Sequence, residues 1–200
     1  LKGSELPVGA KGRKYKGRIV YMGNNIRDLS GDIALFQETA SSPASLESGK
    51  VVISHGLQEG YIIQQADAVQ AYVQAKLDPE DDTWIAIPDE SLWLDEWKKS
   101  GKYSKDNPPC CKLEYALYGH PKSGVYWEKH AEKHIFACGF ERVPNWRSMY
   151  YHRELKCMMM VYVDDFVVSG PKASVPEVWK LFEKGSEGGG GREEGGALER

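Results

Sequence analysis

The sequence has no apolar run near the roughly 20 residues that a bilayer-spanning helix needs, and no signal-peptide pattern precedes its first basic cluster. Neither a membrane protein nor a secreted precursor is therefore expected. Cysteine is scarce, with only Cys110, Cys111, Cys138 and Cys157 present. None forms a CxxC pair, and adjacent Cys110-Cys111 is a poor zinc spacing. Reduced thiols in an intracellular compartment, cytoplasmic or nuclear, are the expectation. His130 and His134 stand one helical turn apart but lack the Glu of an HExxH pattern. With Glu128, Lys129, Glu132 and Lys133 around them they read as a solvated face.

What is present is unevenly charged. The formal net charge is −3, yet Leu1 to Arg27 carries Lys2, Lys11, Arg13, Lys14, Lys16, Arg18 and Arg27 against Glu5 alone, so a local +6 is joined to a body of −9. A basic end on an acidic body suits a polyanion held at one place and cations at another; a merely solvated basic terminus is the plainer reading. The 200 residues, 41% of them hydrophobic, suffice for one good core.

The chemistry concentrates in Met158-Met159-Met160-Val161-Tyr162-Val163-Asp164-Asp165-Phe166-Val167-Val168-Ser169-Gly170. Two runs of β-favouring apolar residues flank two carboxylates, which predicts a hairpin with buried arms and an Asp-Asp tip. Ionised carboxylates beside core strands need cations or must take up protons. Mg²⁺ held by one or two carboxylates plus substrate phosphates is the general solution. A plain tight turn would also use Asp-Asp. Asp67, at the end of the apolar run Tyr61-Ile62-Ile63, is the candidate third carboxylate, or else a helix N-cap.

The remaining elements follow from spacing. Lys14 to Gly23 reads as a strand with Lys16 and Arg18 on one face. Ser41-Ser42-Pro43 opens a helix carrying Leu46, Lys50 and Ile53 up to Gly56. Thr83 to Ile87 reads as a strand stopped by Pro88, and Asp89 to Asn107 as an unassigned surface excursion. Trp127, Ala131, Ile135 and Cys138 line one face of a helix capped by Gly139. Trp146–His152 and Lys156–Val163 make an antiparallel pair, and Ser174-Val175-Pro176-Glu177 starts a helix through Phe182.

Tyr162-Val163-Asp164-Asp165 resembles the YxDD signature of reverse transcriptases, specifically of the Ty1/copia retrotransposon type. Three further blocks agree in order: Lys16 to Gly23 resembles the KARLVAKG fingers strand, Asp67 to Leu77 the DVKTAFLNGEL block, and Leu113 to Trp127 the LKKALYGLKQSPRAW block. The resemblance runs from Lys14 to Phe182. It implies an α+β fold: a polymerase palm, an antiparallel sheet with helices on one face, plus a partial fingers lobe and no thumb. It also implies RNA-directed DNA polymerase activity by two-metal nucleotidyl transfer, with Asp67, Asp164 and Asp165 catalytic and binding two Mg²⁺ or Mn²⁺ ions. Lys16 and Arg18 match the residues that hold the triphosphate, and Tyr72 the aromatic that rejects a 2′-hydroxyl. Tyr118 and Gly119 fall where the nucleotide and template pocket is lined.

The implied partners are a primed RNA or DNA template, dNTP, and the rest of a retrotransposon polyprotein with its integrase and RNase H. The sequence departs from the family at Ala68, Val69 and His120-Pro121-Lys122-Ser123, none of which removes a carboxylate. The expected organisation is a flexible basic N-terminus (1–13), a fingers/palm domain (14–184) and a disordered Gly/Glu-rich tail (185–200). The Leu1 start suggests a fragment. Two other readings stand beside the enzyme: an inactive remnant that keeps the palm and weak nucleic-acid binding, and a globular scaffold in which Asp-Asp is only a turn.

Overall fold

The apolar arms around Asp164-Asp165 do pair, and the sheet they start organises the chain. The computed structural model describes residues 6–13, 17, 19–28, 30–34, 43–185 and 198–199. The elements in chain order are α1 (Leu46–Gly56), β1 (Tyr61–Ala68), α2 (Ala71–Gln74), β2 (Trp84–Ala86), α3 (Asp95–Ser100), β3 (Cys110–Lys112) and α4 (Ser123–Ala137). They continue with β4 (Glu141–Arg142), β5 (Met149–His152), β6 (Cys157–Tyr162), β7 (Asp165–Pro171), α5 (Val175–Gly185) and β8 (Leu198–Glu199). The main sheet has the order β4-β5-β6-β7-β1-β8 and β2 pairs with β3 apart from it. Every strand pairing among the described residues is antiparallel. The mixed α and β character is as expected, and β8 places Leu198–Glu199, within the stretch expected to be disordered, beside Asp67 and Ala68.

Period-two alternation assigns the two faces of the sheet. Ala66, Met159, Val161, Phe166 and Val168 are buried on one face with Trp127, Ala131 and Ile135 of α4 and Val175, Val178, Trp179 and Phe182 of α5. This is the α4 stripe read from spacing. Full burial of side chains of this size contributes about 1.5–3 kcal/mol each, so this face holds the sheet together.

Helix α1 corrects the expectation that the helices share one face. It lies on the opposite face, where a Cβ at Gly49 would touch Met160 and one at Gly56 would strike Ile63 and Ser169. Its buried residues are Ser48, Val52 and Gly56, while Leu46 and Ile53 face outward. Small residues let the helix approach the strands closely, and that proximity outweighs the area of the larger apolar side chains. The helix starts at Ser45, whose Oγ accepts from the Ser48 amide at 3.2 Å.

The strand expected over residues 14–23 is also absent from its described part: Ile19, Val20 and Met22 belong to no strand and are exposed, and Gly23–Asn25 is a 3₁₀ turn. Residues 89–107 contain a 3₁₀ turn and α3, pinned by buried Trp93, which donates to the Ile87 carbonyl at 2.5 Å. Among the described residues no helix is long and apolar enough to cross a membrane.

His55 joins α1 to the sheet through Nδ1 and the Ser169 Oγ at 2.8 Å, and burial lowers its pKa. A His whose folded pKa is depressed leaves the unfolded chain binding more protons below about pH 6.5, so stability is intact above that pH and is lost as pH falls. Thermal melts from pH 8 to pH 5 should show a falling Tm below about pH 6.5, and His55→Gln should flatten that slope.

Candidate active site

Strands β1 and β7 bring two of the expected carboxylates together by register. Asp67 is the direct partner of Asp165, and Tyr162 pairs with Asp165 across the hairpin. Directly opposed residues have Cα atoms about 4.5–5.5 Å apart and side chains on the same face. Asp164 sits in the turn, where its carbonyl accepts from the Ala68 amide at 2.8 Å. All three carboxylates are half-buried on or beside the face opposite Phe166 and Val168. A scaffold in which Asp-Asp is only a distant turn does not predict this adjacency.

The turn itself is Val163-Asp164, and Val163 has φ +58°. A β-branched residue there is a genuine outlier, with a cost of order 1–3 kcal/mol. Its carbonyl is held by the indole of Trp127 on α4, Nε1 to O 2.6 Å. A cavity of about 30 Å³ lies behind the turn between Trp127, Val161 and Val163. It has room for a water or two and none for a nucleotide.

Tyr72 lies on α2, immediately after Gln70 turns the chain through a left-handed conformation. Its ring meets Tyr118 edge-on, centroids 4.8 Å apart. Burial raises the Tyr72 pKa first, and the nearby charge of Asp164 adds to the effect. The expected aromatic therefore stands between Tyr118 and the Val163-Asp164 turn. Gly119 has φ +91°, and a Cβ there would fall 2.0 Å from the Tyr21 carbonyl oxygen. The Tyr21 amide donates to the Tyr118 carbonyl at 2.6 Å. This fixes the N-terminal segment against the Tyr118-Gly119 turn. Lys16 and Arg18 lie outside the described residues.

The family departures acquire partners here. Lys122 pairs with Asp81 at 2.8 Å, and Tyr126 donates to the same carboxylate. Burial pushes the Asp81 pKa up, but the bonds from Lys122 and Tyr126 outweigh it and hold the carboxyl below its ordinary range. Ser123 Oγ donates to the Leu117 carbonyl at 2.7 Å. His130 and His134, expected to be solvated, are half-buried and pack on one another with centroids 4.7 Å apart, His130 also lying against Trp127.

The donor set suits Mg²⁺ or Mn²⁺, since all three side chains offer hard carboxylate oxygens. Among the described residues no three His, Cys, Asp or Glu side chains stand grouped as a preformed cluster around one point. Asp165 Oδ1 accepts from Gln65 Nε2 at 2.8 Å. Sequence spacing does not single out Gln65 or Trp127 as site residues. Gln65 does carry a signal, since it lies two residues before Asp67 and so on the same face.

Residues 8–182 match the family model described as reverse transcriptase (RNA-dependent DNA polymerase). The chain belongs to the reverse transcriptase family. The reaction of this reverse transcriptase family is RNA-directed DNA synthesis, a nucleotidyl transfer that uses template, primer and dNTP. No curated protein matches the chain.

Gly119→Ala tests the seat of the N-terminal segment. Because backbone on both sides is fixed, the methyl cannot be accommodated, and the segment should detach. Limited proteolysis should cut faster between residues 6 and 34, while Tm falls by several degrees.

Proposed function

We propose that this reverse transcriptase domain is of the Ty1/copia type and extends a primer 3′-hydroxyl by two-metal nucleotidyl transfer. The sheet β5-β6-β7-β1 would be its palm and the N-terminal segment part of its fingers. The observation that carries the reading is the Asp67–Asp165 register with Asp164 in the adjoining turn. Asp67, Asp164 and Asp165 would hold two Mg²⁺ or Mn²⁺ ions. Bound there, such ions lower the pKa of the primer hydroxyl and stabilise charge on the α-phosphoryl group.

The protein's own part is positioning and electrostatics, with no protein nucleophile. Lys16 and Arg18 would hold the triphosphate, and the Tyr118-Gly119 turn would line the base and template side. Tyr72, edge-on to Tyr118 and near Asp164, would fill the space of a ribose 2′-hydroxyl. Template contacts would run mainly to phosphates and weaken with salt. The rest of a retrotransposon polyprotein, with integrase and RNase H, is the proposed wider context.

Primer extension on an RNA template with Mg²⁺ or Mn²⁺ tests the activity. Asp67→Asn and Asp165→Asn should each abolish extension while leaving Tm unchanged or raised, because one of two opposed charges is removed. A large loss of Tm would instead mark the carboxylates as structural. An inactive parent that still binds nucleic acid would mark a remnant that keeps the palm without polymerising.

Tyr72→Ala tests the sugar site. Steric exclusion should relax, shifting the dNTP/rNTP ratio of kcat/KM by about 10²-fold, which corresponds to roughly 3 kcal/mol. Tyr72 packs against both apolar clusters, so some loss of Tm is expected as well. Loss of Tm with an unchanged ratio would leave Tyr72 a core residue only.

A further inference from the structure

We propose that Gln65 is a positioning residue that fixes the Asp165 carboxylate for metal binding, an inference that rests on the two-metal reading above. Gln65 Nε2 donates to Asp165 Oδ1 at 2.8 Å. The two residues lie on adjacent strands, with Gln65 opposite Val167 and Asp67 opposite Asp165. Gln65 and Asp67 are two apart, so their side chains share a face.

The bond does little for stability. Gln65 is exposed, and a hydrogen bond in contact with water exchanges one partner for another at small net gain. Its effect is on direction. A carboxylate with one oxygen engaged by a donor anchored on a strand loses rotational freedom, and its second oxygen stays available to a cation.

The residue type fits that role. Lys or Arg at this place would also grip Asp165, but its positive charge would compete with the cation. A primary amide orients the carboxylate and leaves its charge intact. Neighbouring Gln64 shows what the same side chain does on the other face: its Oε1 accepts from Trp179 Nε1 at 2.8 Å, tying α5 to the sheet. Two consecutive glutamines thus face opposite sides of β1, one against the core and one against the acid.

Partners of metal-ligating groups typically account for 10–100-fold in metal affinity or activity. The test is Mn²⁺ titration of the full chain, followed by electron paramagnetic resonance of the free ion, with Gln65→Met and Gln65→Ala beside the parent. Both variants should bind Mn²⁺ about 10–100-fold more weakly at unchanged Tm. Primer extension should need correspondingly more Mg²⁺ and recover its maximal rate at high Mg²⁺, which a merely structural defect would not do. If the parent binds Mn²⁺ and extends primers and both variants match it, the role of Gln65 is overturned and the polymerase reading survives. If the parent neither binds Mn²⁺ nor extends primers, both fall together.

Discussion

The antiparallel pairing of β1 with β7 is the constraint on which the site depends. A slip of one residue would set Asp67 opposite Phe166 and turn it toward the face that holds Met159, Val161 and Val168. That face is dry, and an isolated ionised carboxylate cannot be accommodated there without a partner. The register is therefore chosen by apolar side chains on the face away from the carboxylates. Phe166 and Val168 are 2% and 0% exposed, and with Ala66 they hold the strand in place while its other face carries charge. Packing on one side sets the geometry of chemistry on the other.

The tip of the hairpin adds a local cost to this arrangement. A left-handed Val163 is unfavourable by about 1–3 kcal/mol, and two hydrogen bonds to the turn offset it. Trp127 donates to the Val163 carbonyl and Ala68 donates to the Asp164 carbonyl. Each contributes about 0.5–1.5 kcal/mol net, so together they balance the strain. The carboxylates are thereby held on a turn that the chain alone would not adopt, and α4 holds the turn through one indole N–H. Buried Trp127 thus serves two ends, since its ring packs edge-on to Phe166 while its nitrogen faces the turn.

How much of this is legible in the sequence follows from what each pattern encodes. Alternation in Met158 to Gly170 reports which residues face the core, and that suffices for the hairpin and for the Asp67 partner strand. The 3.6-residue stripe of Trp127, Ala131, Ile135 and Cys138 likewise reveals the buried face of α4. Helix α1 misleads because a hydrophobic stripe measures area, whereas its packing is decided by closeness: Ser48, Val52 and Gly56 fit a sheet surface that Leu46 and Ile53 would hold away. Helical spacing alone cannot say which side of a sheet a helix takes, so it does not separate α1 from α4. Ile19 and Val20 have high strand propensity but no strand partner among the described residues, and propensity without a partner forms no strand. The Gln65–Asp165 bond is within reach of period-two reasoning, but an amide beside an acid has no composition signal to draw attention to it.

Tyr72 shows how the two halves of the site are coupled. Its ring belongs to the edge of the main core and also to the smaller cluster of Ala75, Leu77, Ala116 and Tyr126. Contact with Tyr118 links it to the turn that receives the N-terminal segment. Burial, with Asp164 close by, also raises the Tyr72 pKa, so its phenol stays neutral at physiological pH. Only the neutral form is compatible with the place proposed for it: a phenolate beside Asp164 would add negative charge where an anionic triphosphate has to approach.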